Sequence, residues 1–177
     1  MTITDTISPT CLDFPAEARV LDGTRGLTVH EPESATAAEL SAVLRLLERM
    51  GAKTIMLGSA RDADALATRA AVAEAWTARG GLVLDEVDWP ESAASWLRQA
   101  RRLAVPDPDA WVVCARPEGW SGMAGRLSET AWTPQRTIVT ASLAGADVLA
   151  AGGPESFAGL RGVTRDGRTW RIGRTAA

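Results

Sequence analysis

The sequence predicts an α/β fold: three layers, a mainly parallel sheet with helices on both faces, and a C-terminal β-hairpin. Three observations carry this. Short apolar runs recur at Thr54-Ile55-Met56-Leu57, Leu82-Val83-Leu84, Trp111-Val112-Val113-Cys114 and Thr137-Ile138-Val139-Thr140. Runs apolar at nearly every position suit strands buried on both faces. Helix-forming segments with start or stop signals separate them, and strict strand–helix alternation implies right-handed crossovers onto one sheet.

Residues 1–24 hold Pro9, Pro15 and Gly23 and no sustained period, so they read as an irregular arm. Residues 25–177 read as one α/β domain. Gly26 to His30 is a short strand candidate, ended by Pro32. Thr36-Ala37-Ala38-Glu39 has capping-box spacing, in which the hydroxyl and the carboxylate each satisfy a free backbone N–H. Leu40, Val43, Leu44, Leu47 and Met50 then follow at helical spacing, and Gly51 stands where a helix C-terminus is expected. Strand 54–57 comes next. Asp62 and Asp64 open a helix to about Arg79, where acidic charge favours the helix N-terminus. Gly80-Gly81 stops it.

Strand 82–87 ends before Pro90. Ser92 is the expected cap of a helix carrying Ala93, Trp96, Leu97, Ala100 and Leu103. After the Pro106-Asp107-Pro108-Asp109 turn comes strand 111–114, then a glycine-interrupted helix over about 121–129. Strand 137–140 precedes a short helix over 144–151, ended by Gly152-Gly153-Pro154. Asp166-Gly167, between Gly162-Val163-Thr164 and Thr169-Trp170-Arg171-Ile172, reads as a hairpin turn.

Composition narrows the function. The chain has 177 residues, 46% hydrophobic and 23% charged, which is globular content. Net charge is -3, so no basic field is offered to a phosphate backbone and nucleic-acid binding is not expected. No apolar run approaches the roughly 18 residues of a membrane span, so membrane insertion is not expected. The N-terminus lacks a basic and then apolar leader pattern, which makes the cytoplasm the expected compartment. Cys11 and Cys114 match no metal or redox spacing, and His30 is the sole histidine. No G-x-G-x-x-G, G-x-x-x-x-G-K-[ST] or G-x-S-x-G motif occurs. No catalytic residue, no metal and no cofactor is therefore expected.

In open α/β sheets ligands bind beyond the carboxyl ends of the strands. That rule selects Ser59, Arg61 and Asp62, then Asp88 and Trp89, then Arg116, Glu118 and Trp120, and then Ser142. Arg61 and Arg116 are planar bidentate donors suited to a carboxylate, so an anion is the expected ligand. Trp89 and Trp120 could wall the site. Each residue also has a plain structural role. Ser59 and Asp62 can cap a helix, the charged residues can be solvated, and the tryptophans can close the core.

Residues 25–165 also carry a family texture. A helix running into Gly51-Ala52-Lys53 leads to an apolar strand, Gly80-Gly81 leads to the next, and Pro108-Asp109-Ala110 to a third. This order resembles one lobe of the type I periplasmic solute-binding proteins, the branched-chain amino-acid binding family of ABC transporters. The resemblance implies a Rossmann-like or flavodoxin-like lobe, about half of a two-lobed protein that closes on ligand between its lobes. A lone lobe leaves its cleft face open, and the reading expects exposed apolar surface with tryptophan there, covered by a symmetric dimer mate, a protein partner or a small ligand. The function expected is a non-enzymatic binding or interaction module. Two alternatives stand beside it. One is a small Rossmann-like enzyme acting on a carboxylic acid through Arg61 or Arg116 and Ser59 or Ser142. The other is a receptor fragment working with a separate lobe or transporter.

Overall fold

Ile55, Met56 and Leu57 are all fully buried, as are Trp111, Val112 and Val113, because these strands lie inside the sheet with helices against each face. The computed structural model describes residues 33–173. The expected arm, the strand over 26–30, Cys11 and His30 lie outside them.

The element order is α1 (Ala37–Arg49), β1 (Thr54–Ala60), α2 (Ala63–Thr77), β2 (Leu82–Trp89), α3 (Leu97–Ala104), β3 (Ala110–Cys114), α4 (Pro117–Leu127), β4 (Thr137–Val139), α5 (Gly145–Ser156), β5 (Arg161–Val163) and β6 (Thr169–Arg171). A 3₁₀ turn, Pro134–Arg136, leads into β4. The strands form one sheet in the order β2-β1-β3-β4-β5-β6. All neighbouring pairs are parallel except β5 and β6, which form the expected C-terminal hairpin. The chain steps from β1 outward to β2 and then back past β1 to β3, so the strand order reverses at the β1/β3 boundary.

Alternate side chains of each strand feed two cores. Ile55, Leu57, Val112 and Ile138 meet Val43, Leu47, Val72 and Trp76 of α1 and α2. Met56, Trp111, Val113 and Val139 meet Leu103, Trp120, Met123, Leu127 and Phe157 from the α3, α4 and α5 side. This two-sided burial is why the strands read as continuous apolar runs. β2 is an edge strand and alternates instead, with Leu82 and Leu84 exposed.

Several boundaries differ from the sequence reading: β1 runs on to Ala60 and β2 to Trp89, so Ser59, Asp88 and Trp89 lie within strands rather than in the loops after them. Ser92 caps nothing: α3 starts at Leu97, whose N–H bonds to Ser95 Oγ, and Trp96 occupies the N-cap position. α4 starts at Pro117 rather than near Ser121, because proline at the first helical position loses no needed hydrogen bond. α5 runs past Gly152 to Ser156, with a break at Gly153 (φ 77°, ψ 170°). Half of the capping box forms: Thr36 Oγ1 accepts from Glu39 N–H at 3.1 Å, but the Glu39 carboxylate turns elsewhere.

The feet of β1 and β3 are tied by one carboxylate. Asp109 Oδ2 accepts from the N–H of Lys53 and of Thr54, both at 2.8 Å, and from Thr54 Oγ1 at 3.0 Å. The Thr54 N–H is the chief reason its carboxyl is held below the usual carboxylate range. A lowered folded-state pKa adds stability above the unfolded value near 3.9, lost as pH falls through the folded value. Asp109→Ala is therefore expected to cost about 1–2 kcal/mol at pH 7 in urea melts, the side chain being largely exposed. The loss should shrink as pH falls below about 4.

Candidate functional site

The carboxyl ends of β1, β3 and β4 open onto a cavity of about 340 Å³. It sits beside the reversal in strand order, the place where ligand crevices form in open α/β sheets.

Each wall is built by a short local device. After β1, Asp62 caps α2, its Oδ1 accepting from Ala65 N–H at 3.0 Å. Asp64 stands in the first turn of α2. After β3, Arg116 points back: its Nη2 donates to Asp64 Oδ2 at 3.0 Å and its Nε lies 3.4 Å from Asp62 Oδ1. Glu118 follows in the first turn of α4. After β4, Ser142 reaches the cavity with its Oγ 3.2 Å from Thr140 Oγ1.

Glu39 of α1 also lines this cavity although only 3% exposed. Its Oε1 accepts from the N–H of Ala141 at 2.8 Å and so holds the loop after β4. The rim is completed by Glu33, Ser34 and Arg165. Arg165 Nη1 pairs with Glu33 Oε2 at 2.8 Å, Glu33 N–H donates to Asp64 Oδ1 at 2.9 Å, and Thr36 Oγ1 donates to the Arg165 carbonyl at 2.5 Å.

Behind α4, Glu91 Oε2 accepts from Gly119 N–H at 2.6 Å, capping the helix from the β2–α3 connection. A Cβ at position 119 would fall 2.6 Å from that oxygen, so the contact requires glycine. Burial pushes the Glu91 carboxyl above its ordinary value. Under β3, burial pushes the Cys114 thiol up to about 12, which leaves it inert as a nucleophile.

Of the residues singled out from sequence, Asp62, Arg116, Glu118 and Ser142 meet at this cavity. The others do not. Ser59 is fully buried and accepts from Arg69 Nη1 at 3.0 Å, so its hydroxyl is a structural partner. Arg61 pairs with Asp88 at 2.6 Å, and both line a separate depression with Val87, Arg98 and Arg102. Trp89 and Trp120 are fully buried core residues, not a stacking wall. The Trp89 ring takes the space a side chain at Gly58 would need, 2.8 Å from a Cβ built there. The Trp120 ring packs against Trp132 and Phe157 with centroids 6.4 and 6.0 Å away.

Two further expectations are corrected here. None of the seven tryptophans forms an exposed face; the exposed large apolar side chains among the described residues are Leu82, Leu84, Val105 and Leu149. An anion does not suit the cavity either. Its walls carry the carboxylates of Glu33, Glu39, Asp62, Asp64 and Glu118 against two guanidiniums, Arg116 and Arg165, and both arginines are engaged by these carboxylates. Among the described residues, no group of three acidic, histidine or cysteine side chains is placed to hold a metal ion.

The fold is a Rossmann-like α/β lobe with its cavity at the carboxyl ends of the strands. Solved structures share it. An extracellular ligand-binding receptor from Rhodopseudomonas palustris is 18% identical, with 75% of this chain and 36% of that one covered and a TM-score of 0.63. A branched-chain amino acid ABC transporter periplasmic ligand-binding protein from Burkholderia xenovorans is 16% identical, with coverage of 72% and 34% and a TM-score of 0.61. An extracellular ligand-binding receptor from Verminephrobacter eiseniae is 18% identical, with coverage of 71% and 36% and a TM-score of 0.61. The chain thus spans about a third of the length of these proteins, and the likeness is one of fold. No family model and no curated protein matches the chain.

Proposed function

We propose that this chain is a non-enzymatic binding module that takes a small polar ligand in the cavity at the carboxyl ends of β1, β3 and β4. The observation that carries the reading is the convergence of Glu39, Asp62, Arg116, Glu118 and Ser142, from four separate elements and loops, on one concave site beside the β1/β3 reversal. A concave site with a few convergent polar groups is the usual form of a small-molecule site. The groups present speak for binding rather than turnover. Ser142 has a threonine hydroxyl as its neighbour rather than a base, and Ser59 is sealed in the core.

Ser142 is exposed at the cavity, so a large side chain there fills the site without disturbing the core. Small polar solutes that bind the wild-type chain are expected to raise its melting temperature, by about 2.7 kcal/mol of added stability at a hundred times the dissociation constant. Ser142→Trp should abolish that shift while leaving the unliganded melt near the wild-type value. A shift that survives Ser142→Trp would place the ligand elsewhere, and no shift with any solute of a broad library would contradict the proposal.

A second reading has one observation in its favour. The chain matches about a third of each solved neighbour, so it also fits a lobe that works with a separately folded counterpart. Light scattering on the purified chain separates self-pairing from a monomer awaiting such a counterpart.

A further inference from the structure

We infer that the ligand of this cavity is a small organic cation, a primary mono- or diamine, with Glu39 as its principal anchor. The inference rests on the cavity being the binding site and names the chemistry it selects.

The two arginine charges on the walls are already matched by carboxylates. The Arg116 guanidinium faces Asp62 and Asp64, the Arg165 guanidinium faces Glu33, and the Ala141 N–H is taken by Glu39 Oε1. The charge left unmatched on the walls is negative, that of Glu39 and Glu118. Glu39 is 97% removed from solvent (3% exposed) yet borders the cavity, and its second carboxylate oxygen has no hydrogen-bond partner among the described residues. Asp62 Oδ2 is buried with no hydrogen-bond partner there. Glu118 makes no ion pair among the described residues.

A carboxylate oxygen removed from water without a donor, as Asp62 Oδ2 is, is costly, and native structures rarely leave one so. An ammonium brings three donors and a positive charge in a compact group, which answers both deficits at once. A carboxylate ligand would bring neither, and would face five like charges across the cavity. A bare metal ion is disfavoured because no three ligating side chains converge among the described residues.

The test is calorimetry at pH 7 on the whole chain, with n-butylamine, 1,4-diaminobutane and butyrate as probes. The amines are expected to bind, the diamine more tightly, and butyrate to give no heat. Glu39→Gln keeps an oxygen for the Ala141 N–H but removes the charge, and should weaken amine binding by about tenfold or more. Asp62→Asn preserves the helix cap and should weaken it in the same direction, so a Glu39 variant that fails to fold does not close the test. Amine binding that is unchanged in both variants overturns the inference. Butyrate binding without amine binding, abolished by Ser142→Trp, overturns it while the cavity remains the site. Silence from all three probes overturns it too; thermal shifts by other solutes, lost in Ser142→Trp, would then still support the cavity.

Discussion

Trp111→Ala is expected to be the most damaging single change in the chain, costing about 3–5 kcal/mol of stability in urea melts. The indole is fully buried on β3, in the core against α3 and α4. Its Nε1 donates to the Leu103 carbonyl at 2.8 Å, so truncation leaves both a large void and an unpaired acceptor. The Arg136 guanidinium lies 4.6 Å from the ring centroid on the way into β4, and that contact is lost as well. For a chain of this size the melting temperature should fall by roughly 10 °C. Trp111→Phe should recover most of the packing but not the hydrogen bond. A loss below about 1 kcal/mol for Trp111→Ala would mean that the α3–α4 face is not packed as described.

Leu47→Ala tests the opposite face and should cost about 2–5 kcal/mol. Leu47 is fully buried on α1 and belongs to the core of Val43, Ile55, Leu57 and Val112. Leu82, on the edge strand, is 57% exposed, and Leu82→Ala should stay within about 0.5 kcal/mol. Equal losses for Leu47 and Leu82 would place α1 off the sheet. Because Leu47 and Trp111 lie in different cores, their effects should add in the double variant to within about 0.5 kcal/mol.

Much of the fold was legible because the local signals and the burial agree. Ile55 to Leu57 and Trp111 to Cys114 are apolar at every position because both faces of the sheet are covered, and no helix period competes there. The site was less legible, for reasons particular to its residues. Glu39 carried a clear local explanation, the capping box, and its actual partner lies 102 residues away in the loop after β4. Ser59 is buried because β1 runs on to Ala60 between β2 and β3, and its hydroxyl meets Arg69 reaching across from α2. The pairing of Arg61 with Asp88 follows from the parallel register that sets Ser59 beside Asp88, which fixes a long-range contact no spacing announces. Trp89 is the last residue of β2 and Trp120 lies in α4, and their indoles turn inward to fill the space left by Gly58 and to meet Trp132 and Phe157. The start of α4 was readable: Pro117 is a first-turn proline, a signal that outweighs the glycines after it.

Where a ligand touches the chain decides whether the cavity is the binding site. Titrating ¹⁵N-labelled protein with 1,4-diaminobutane and following its amide resonances gives that location residue by residue. The predicted result is a set of shifts confined to Glu39, the turn at Asp62 and Asp64, the segment from Arg116 to Gly119, and Ala141 and Ser142. Shifts centred instead on Arg61, Asp88, Arg98 and Arg102, with the loop after β4 silent, would contradict it.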